Sequence, residues 1–390
     1  MKLSSLIFLA SLISGSLIGI TSVHAGTIAS DGTKVSIKIG PKPFVATALA
    51  KGTLFASPTG SGTTCSLASP CSIWTVISKA KSGSVVFLRG GTYAVSKTIT
   101  FGNVGSAGAP IIYESYPGES AVFDGIANPK GAKIAINVSG KFIRLRNFEV
   151  KNMPMQGFWI KGTDNVLDGL HVHHNSLSGI QVYSPYDSFP YNTYGSRNVI
   201  KNCIVHDNFD EGTMVSGFAN GGNADGISIS SGANNRVENN LVYRNSDDGI
   251  DAWRSTDTYF GYNISYGNGI ANGNGNGIKA GGISPSRGTI VEHNLVYSNR
   301  ATGIDYNAGA SVTMTNNTTW NNKQSYYKGS DTVLEYNISA ESLRSGGSVE
   351  VDNSWQRSGT VTFISTDPKS TNFLVPSIGG GFQDIGAKPK

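Results

Sequence analysis

Asn240-Leu241-Val242-Tyr243-Arg244-Asn245-Ser246-Asp247-Asp248-Gly249-Ile250-Asp251 is one copy of a unit that this chain repeats. The unit carries two markers, a glycine followed by an apolar residue and, upstream, a short β-forming run that ends in asparagine. The first marker recurs as Gly157-Phe158, Gly179-Ile180, Gly226-Ile227, Gly277-Ile278 and Gly303-Ile304. The second recurs as Val172-His173-His174-Asn175, Val205-His206-Asp207-Asn208, Ser265-Tyr266-Gly267-Asn268, Val296-Tyr297-Ser298-Asn299 and Thr319-Trp320-Asn321-Asn322. Two markers recurring in step are hard to obtain by chance. The period is uneven, Gly249 following Gly226 by 23 residues and Gly303 following Gly277 by 26, because insertions fall between the markers. Short β-branched strands and glycine turns with no helical periodicity predict an all-β parallel β-solenoid, one coil per repeat. A leucine-rich repeat of similar length would need regular leucines, which are absent.

Stacked coils place equivalent residues above one another at about 4.8 Å. Asn240, Asn263, Asn294, Asn317 and Asn337 then form one internal ladder, and Asn175, Asn208, Asn245, Asn268, Asn299 and Asn322 a second. Cys203 takes the ladder position in an earlier coil, which marks it as a buried thiol. The column His173, His206, Tyr243, Tyr266, Tyr297 and Trp320 reads as aromatic stacking at a coil edge. The same register puts Asp225 and Asp248 in one column with Asn276, and Ser228, Asp251, Lys279 and Asp305 in the next. Carboxylates one strand spacing apart repel unless one is protonated or a cation lies between them. Asp225, Asp247, Asp248 and Asp251 together, with no histidine or cysteine among them, favour Ca²⁺, which takes six to eight oxygen ligands. The residues leave Lys279 open to two readings. It is either a salt-bridge partner held between Asp251 and Asp305 or, once a cation engages Asp251, an amine able to act as a base.

Composition bounds the class. Among 390 residues are 49 glycines and only 15% charged residues, which suits many short strands and turns. Met1-Lys2-Leu3, the apolar run from Leu6 to Ile20 and Val23-His24-Ala25 read as a secretory signal peptide over 1–25, with 26–390 a single domain. Within it we expect an N-terminal cap at about 50–95, coils at about 96–345 and a tail at about 346–390. Ser72 to Lys81 is read as a short capping helix, and Val85-Val86-Phe87-Leu88 as the first buried strand. Cys65 and Cys71 are expected to form a loop-closing disulfide in an oxidising compartment. A net charge of +5 without a basic tract gives no support to nucleic acid, and no other segment reaches membrane-spanning length. The expected protein is therefore exported, extracellular or periplasmic, and monomeric. Arg254, Arg287 and Asp305 are candidates for substrate binding, and Tyr183, Tyr186, Tyr191, Tyr194 and Trp253 for stacking on sugar rings.

The strings Ala224-Asp225-Gly226, Asn245-Ser246-Asp247-Asp248-Gly249-Ile250-Asp251 and Gly273-Asn274-Gly275-Asn276-Gly277-Ile278-Lys279-Ala280-Gly281-Gly282 closely resemble the motifs of the family 9 polysaccharide lyases. That family comprises pectate lyases and exopolygalacturonate lyases. The similarity runs from about Leu54 to Asp384-Ile385-Gly386-Ala387. The resemblance implies a right-handed parallel β-helix in which Asp225, Asp247, Asp248 and Asp251 hold Ca²⁺ and Lys279 is the Brønsted base. It further implies an acidic polysaccharide substrate, polygalacturonate or pectin. Three rival readings stay open on the residues alone: a glycoside hydrolase using paired acids, a uronan epimerase, and a glycan-binding solenoid with structural calcium.

Overall fold

A computed structural model of the chain describes residues 27–30, 33–36, 53–129, 131–183, 194–210, 220–344 and 346–388. The segment read as a leader, with Tyr186 and Tyr191, lies outside them. Three sheets of twelve, ten and nine strands wind as a parallel β-helix, each coil giving one strand to each sheet. One coil runs Arg236–Glu238, Leu241–Tyr243 and Ile250–Asp251 before Tyr259–Gly261 begins the next. Apart from this body, Thr27–Ser30 pairs antiparallel with Thr33–Ser36.

Each turn has a sequence cause. Between the first two strands of that coil, Asn239 takes the left-handed conformation at φ 59° and Asn240 follows it into the interior. Asparagine tolerates that region better than most residues, and its amide then feeds the ladder. Asn240 donates from its backbone N–H and from Nδ2 to Asn263 Oδ1, both at 3.0 Å. The same bond pattern continues through Asn294, Asn317 and Asn337 and ends at Asn353. Cys203 donates its backbone N–H to Asn240 Oδ1, so it does occupy the ladder position. The second ladder runs from Asn175 to Asn322. A third, Asn165, Asn198 and Asn235, serves another corner of the early coils. Turn amides that the strands leave unpaired are thereby satisfied along the stack.

The glycine of the repeat is required by space, since its φ is ordinary. A Cβ on Gly249 would lie 2.6 Å from both Asn268 Nδ2 and the Gly277 carbonyl oxygen. Gly157, Gly179, Gly226, Gly277 and Gly303 face an equivalent wall of ladder asparagine and next-coil carbonyl. The apolar residue after each glycine points inward, and Phe158, Ile180, Ile227, Ile250, Ile278, Ile304 and Tyr326 form a fully buried column. Outside the ten-stranded sheet, rings stack from His173 through His206, Tyr243 and Tyr266 to Tyr297, with centroids 4.6 to 5.0 Å apart. Phe373 and Leu374 of the tail pack against this face.

The helix Ile73–Lys79 covers one end, with Ser72 as its N-cap and Ile73, Val76 and Ile77 buried. Asn103 Nδ2 donates to the Ile77 and Ala80 carbonyls, closing the helix C-terminus. The coils begin earlier than the residues suggested: Thr53–Ala56 already pairs with Val85–Leu88, which is the second strand of the twelve-stranded sheet. They also end later, Val349–Val351 closing that sheet. Nothing in the local pattern of Thr53–Ala56 marks a coil, because its partner strand lies beyond the capping helix. Cys65 and Cys71 are joined by a disulfide with Cα atoms 4.7 Å apart. Among the described residues no helix is long and apolar enough to cross a membrane.

Candidate active site

The nine-stranded sheet carries the acid and lysine columns. Ser228 pairs with Asp251, Asp251 with Lys279 and Lys279 with Asp305. One turn earlier, the Asp248 N–H donates to Asp225 Oδ1 at 3.2 Å and the Asn276 N–H to Asp248 Oδ1 at 2.7 Å. The two columns meet because the residues on either side of the tight glycine both face the same side of the sheet. Asp225, Asp247 and Asp248 each offer a carboxylate oxygen within 4.8 Å of the other two, and all three are buried. Asp247 Oδ1 also accepts the Asn274 N–H. That contact needs Gly273, whose Cβ would lie 2.3 Å from the Asp247 Cα.

Asp251 joins through the lysine. Lys279 Nζ lies 2.6 Å from Asp248 Oδ2 and 3.2 Å from Asp251 Oδ2, and the lysine is only 4% exposed. Asp251 Oδ1 is buried with no hydrogen-bond partner among the described residues. Asp305, expected above the lysine as its second carboxylate, accepts instead from the Asn307 N–H at 2.6 Å, and Asp248 takes its place. A lysine side chain is long enough to reach across to the neighbouring column, which pairing along one column does not reveal.

The electrostatics follow from burial. Burial would by itself lower the Lys279 pKa, yet the charges of Asp248, Asp251, Asp225 and Asp247 outweigh it and hold the ammonium well above its ordinary value. Burial raises Asp247 to about 8, reinforced by Asp248 and Asp225. Burial also carries Asp251 up to about 7 against the pull of Lys279, and raises Asp225 strongly with help from Asp251 and Asp248. The site thus holds more negative charge than one lysine balances. Protons or a further cation must supply the difference.

A groove of about 470 Å³ opens beside this centre, lined by Asn274, Asn276, Lys279, Thr302, Asp305 and Arg344 among others. Arg344 and Lys323, also on its wall, were not among the residues singled out above. Arg344 extends the lysine column, following Tyr327, which pairs with Asp305. The repeat marker lapses there, because Ser325-Tyr326 replaces the glycine pair, and the column was lost with it. Trp253 stands 38% exposed with its ring 5.6 Å from Lys279 Nζ. Arg254 and Arg287 are on the turns that leave this sheet, Arg287 bridging Thr256, and neither is among the groove-lining residues. Tyr183 stacks on Trp159 at 6.4 Å and accepts the indole N–H through its carbonyl.

The site is thus a set of buried carboxylates around a lysine, at the edge of an open groove on a parallel β-helix. Comparison with known proteins identifies the family. Residues 54–338 match the family described as "Pel9A-like, right handed beta helix region". The chain is 31% identical to pectate lyase L of Paenibacillus polymyxa, over 90% of this chain and 83% of that protein. It is 25% identical to pectate lyase PEL9 of Emericella nidulans, covering 81% and 89% of the two chains. The crystal structure of pectate lyase Pel9A superposes with a TM-score of 0.74 at 25% identity, covering 87% of this chain and 92% of that one. The chain belongs to polysaccharide lyase family 9 and is a pectate lyase-type polysaccharide lyase with a right-handed parallel β-helix.

Proposed function

We propose that this protein cleaves de-esterified pectin, polygalacturonate, by β-elimination, with Lys279 as the base and Ca²⁺ held by Asp225, Asp247, Asp248 and Asp251. The observation that carries the reading is Lys279 Nζ, buried between Asp248 and Asp251 and lining an open groove. The residues fit a hard cation: the donors are all carboxylate oxygens, three of them lie within 4.8 Å of one another, and Asp251 Oδ1 is a buried acceptor with no partner among the described residues. Bound there, Ca²⁺ supplies positive charge against the negative charge that builds on the sugar's C6 carboxylate as the adjacent C5–H ionises.

The chain's own groups do the rest. Lys279 Nζ takes the C5 proton, the C–H electron pair becomes the C4–C5 double bond, and the C4–O bond breaks with its electrons leaving on oxygen. That oxygen takes a proton from water. Only the neutral amine can accept the C5 proton, so Asp248 and Asp251 must have their charge engaged elsewhere before Lys279 loses its own. Arg344 and Lys323 on the groove wall offer cations to neighbouring uronate carboxylates, and Trp253 offers a face for a sugar ring. Asp305 is assigned to the groove wall beside the substrate, and Arg254 and Arg287 to units that extend past the groove. We also assign 1–25 as a cleaved leader of an exported, monomeric protein whose single catalytic domain is 26–390.

The test is incubation of the purified protein with polygalacturonate, with Ca²⁺ or with chelator, following ultraviolet absorbance and product size together. Unsaturated, shortened products that appear only with Ca²⁺ are expected. Saturated products without metal dependence would mean hydrolysis, unchanged chain length with inverted sugars epimerisation, and binding without reaction a glycan-binding solenoid.

A further inference from the structure

We propose that Glu149, His171 and His173 form a second metal site, for a divalent transition ion of the zinc class, on the outer face of the ten-stranded sheet. Glu149 pairs with His171, so the three ligands come from two adjacent coils, and His173 pairs with His206 of the next. Val172 points into the core between the two histidines, which leaves both imidazoles on the outside. Glu149, His171 and His173 each offer a ligand atom within 4.8 Å of the other two.

The contacts around the cluster decide where its protons sit. Asp207 Oδ2 lies 2.7 Å from His206 Nδ1, so that nitrogen carries a proton and donates it. His206 Nε2 is then an acceptor, and it lies 2.7 Å from His171 Nε2, which must be the donor. His171 Nδ1 is left with a bare lone pair, and it faces Glu149 Oε2 across 4.0 Å. That gap is too long for a hydrogen bond. A tetrahedral ion about 2.0–2.1 Å from each atom holds them roughly 3.3 Å apart, so a small side-chain rotation of Glu149 closes the pair onto it. The other carboxylate oxygen, Oε1, is taken by Lys151 at 3.0 Å and by His173 Nε2 at 3.2 Å. When His173 Nε2 ligates, its proton moves to Nδ1, where His174 Nδ1 at 2.6 Å accepts it. Asp207, His206 and His174 thus hold the ligands in the tautomers that ligation needs.

Two imidazoles and one carboxylate suit zinc, nickel or copper and leave a coordination position for water. Calcium, which prefers oxygen ligands throughout, is poorly served. The site therefore differs in chemistry from the carboxylate centre on the nine-stranded sheet. An ion there would tie two adjacent coils together from outside, with His206 of the third coil behind His171.

The experiment uses the full chain without an affinity tag, stripped with chelator and titrated with ZnCl₂ by calorimetry. Co²⁺ substitution serves as a spectroscopic check for imidazole ligation. The expected result is one Zn²⁺ per chain, with binding weakened at least 100-fold in Glu149→Gln and in His173→Phe. The phenylalanine keeps the ring that stacks on His206, so loss of the ligand is separated from loss of the stack. His206→Phe, which removes the acceptor for His171, is expected to weaken binding about 10- to 100-fold. Calcium-dependent lyase activity stays unchanged in all three. The proposal is overturned if Zn²⁺ binds Glu149→Gln or His173→Phe as it binds the parent, or if the parent takes up no Zn²⁺.

Discussion

Replacing Lys279 with methionine tests the centre from both sides, because the lysine neutralises buried charge as well as serving as the proposed base. In chelator the substitution removes the ammonium from Asp248 and Asp251, which are 0% and 5% exposed, and leaves hydrocarbon in its place. Breaking a buried ion pair by deleting one partner costs about 3–5 kcal/mol. The carboxylate left behind can instead bind a proton, which sets a ceiling. Relative to an ordinary carboxyl pKa of about 3.9, protonation requires about 2.9 kcal/mol at pH 6 and about 5.6 kcal/mol at pH 8. The folded variant then binds a proton that the unfolded chain releases, so its stability falls as pH rises. The stability gap to the parent is expected to widen from about 3 kcal/mol at pH 6 toward about 5 kcal/mol at pH 8. Saturating Ca²⁺ narrows the gap, since it balances the same carboxylates. Urea unfolding followed by circular dichroism at both pH values, with chelator and with Ca²⁺, measures this. A gap below about 1 kcal/mol, indifferent to pH and Ca²⁺, would refute the charge balance. Turnover of the variant with Ca²⁺ should fall about 10²- to 10⁴-fold, and near-normal turnover would refute the base assignment.

Asp248→Asn keeps an acceptor for the Asn276 N–H, so we expect a folded protein with at least a 100-fold loss of turnover. Asp248→Ala leaves that buried N–H without a partner and should unfold earlier in a thermal melt, by about 1–3 kcal/mol relative to the asparagine variant. Gly249→Ala drives a methyl group to 2.6 Å from the Gly277 carbonyl and should destabilise by about 1–3 kcal/mol in urea, whereas parent-like stability would show that the coils can separate locally. Burial pushes the Cys203 thiol up to about 12, so at pH 8 it stays protonated and should react with a thiol reagent only after denaturation.

The coil architecture was legible because the markers that define it are local. Glycine, the inward residue after it and the ladder asparagine lie within one repeat, and their physical reasons, close approach and amide satisfaction, do not depend on distant sequence. The columns Ser228, Asp251, Lys279 and Asp305 followed from register alone. What did not follow was side-chain reach. Lys279 crosses to Asp248 in the neighbouring column, and only the rotamer reveals it. Arg344 and Lys323 escaped for another reason, since the glycine marker ends before them while the sheet continues. Thr53–Ala56 escaped because its partner strand follows an intervening helix and carries no marker.

The site occupies a position that the fold already requires to be an acceptor. At the turns before Gly179, Gly226, Gly249 and Gly277, a side chain receives the N–H of the next coil: Ser178 from Asp225, Asp225 from Asp248, Asp248 from Asn276, and Asn276 from Thr302. Serine, aspartate and asparagine all satisfy that demand. The column is therefore a ladder whose members can change without loss of the structural bond. A carboxylate offers the ladder one oxygen and keeps a second, and in Asp248 the second is the oxygen that meets Lys279. An asparagine there would offer the lysine an amide and no charge. Two successive aspartates at ladder positions, with Asp247 and Asp251 flanking the second, concentrate charge where the backbone already helps to hold it. The stack that builds the fold thus holds the acids and the lysine to within a hydrogen bond of one another.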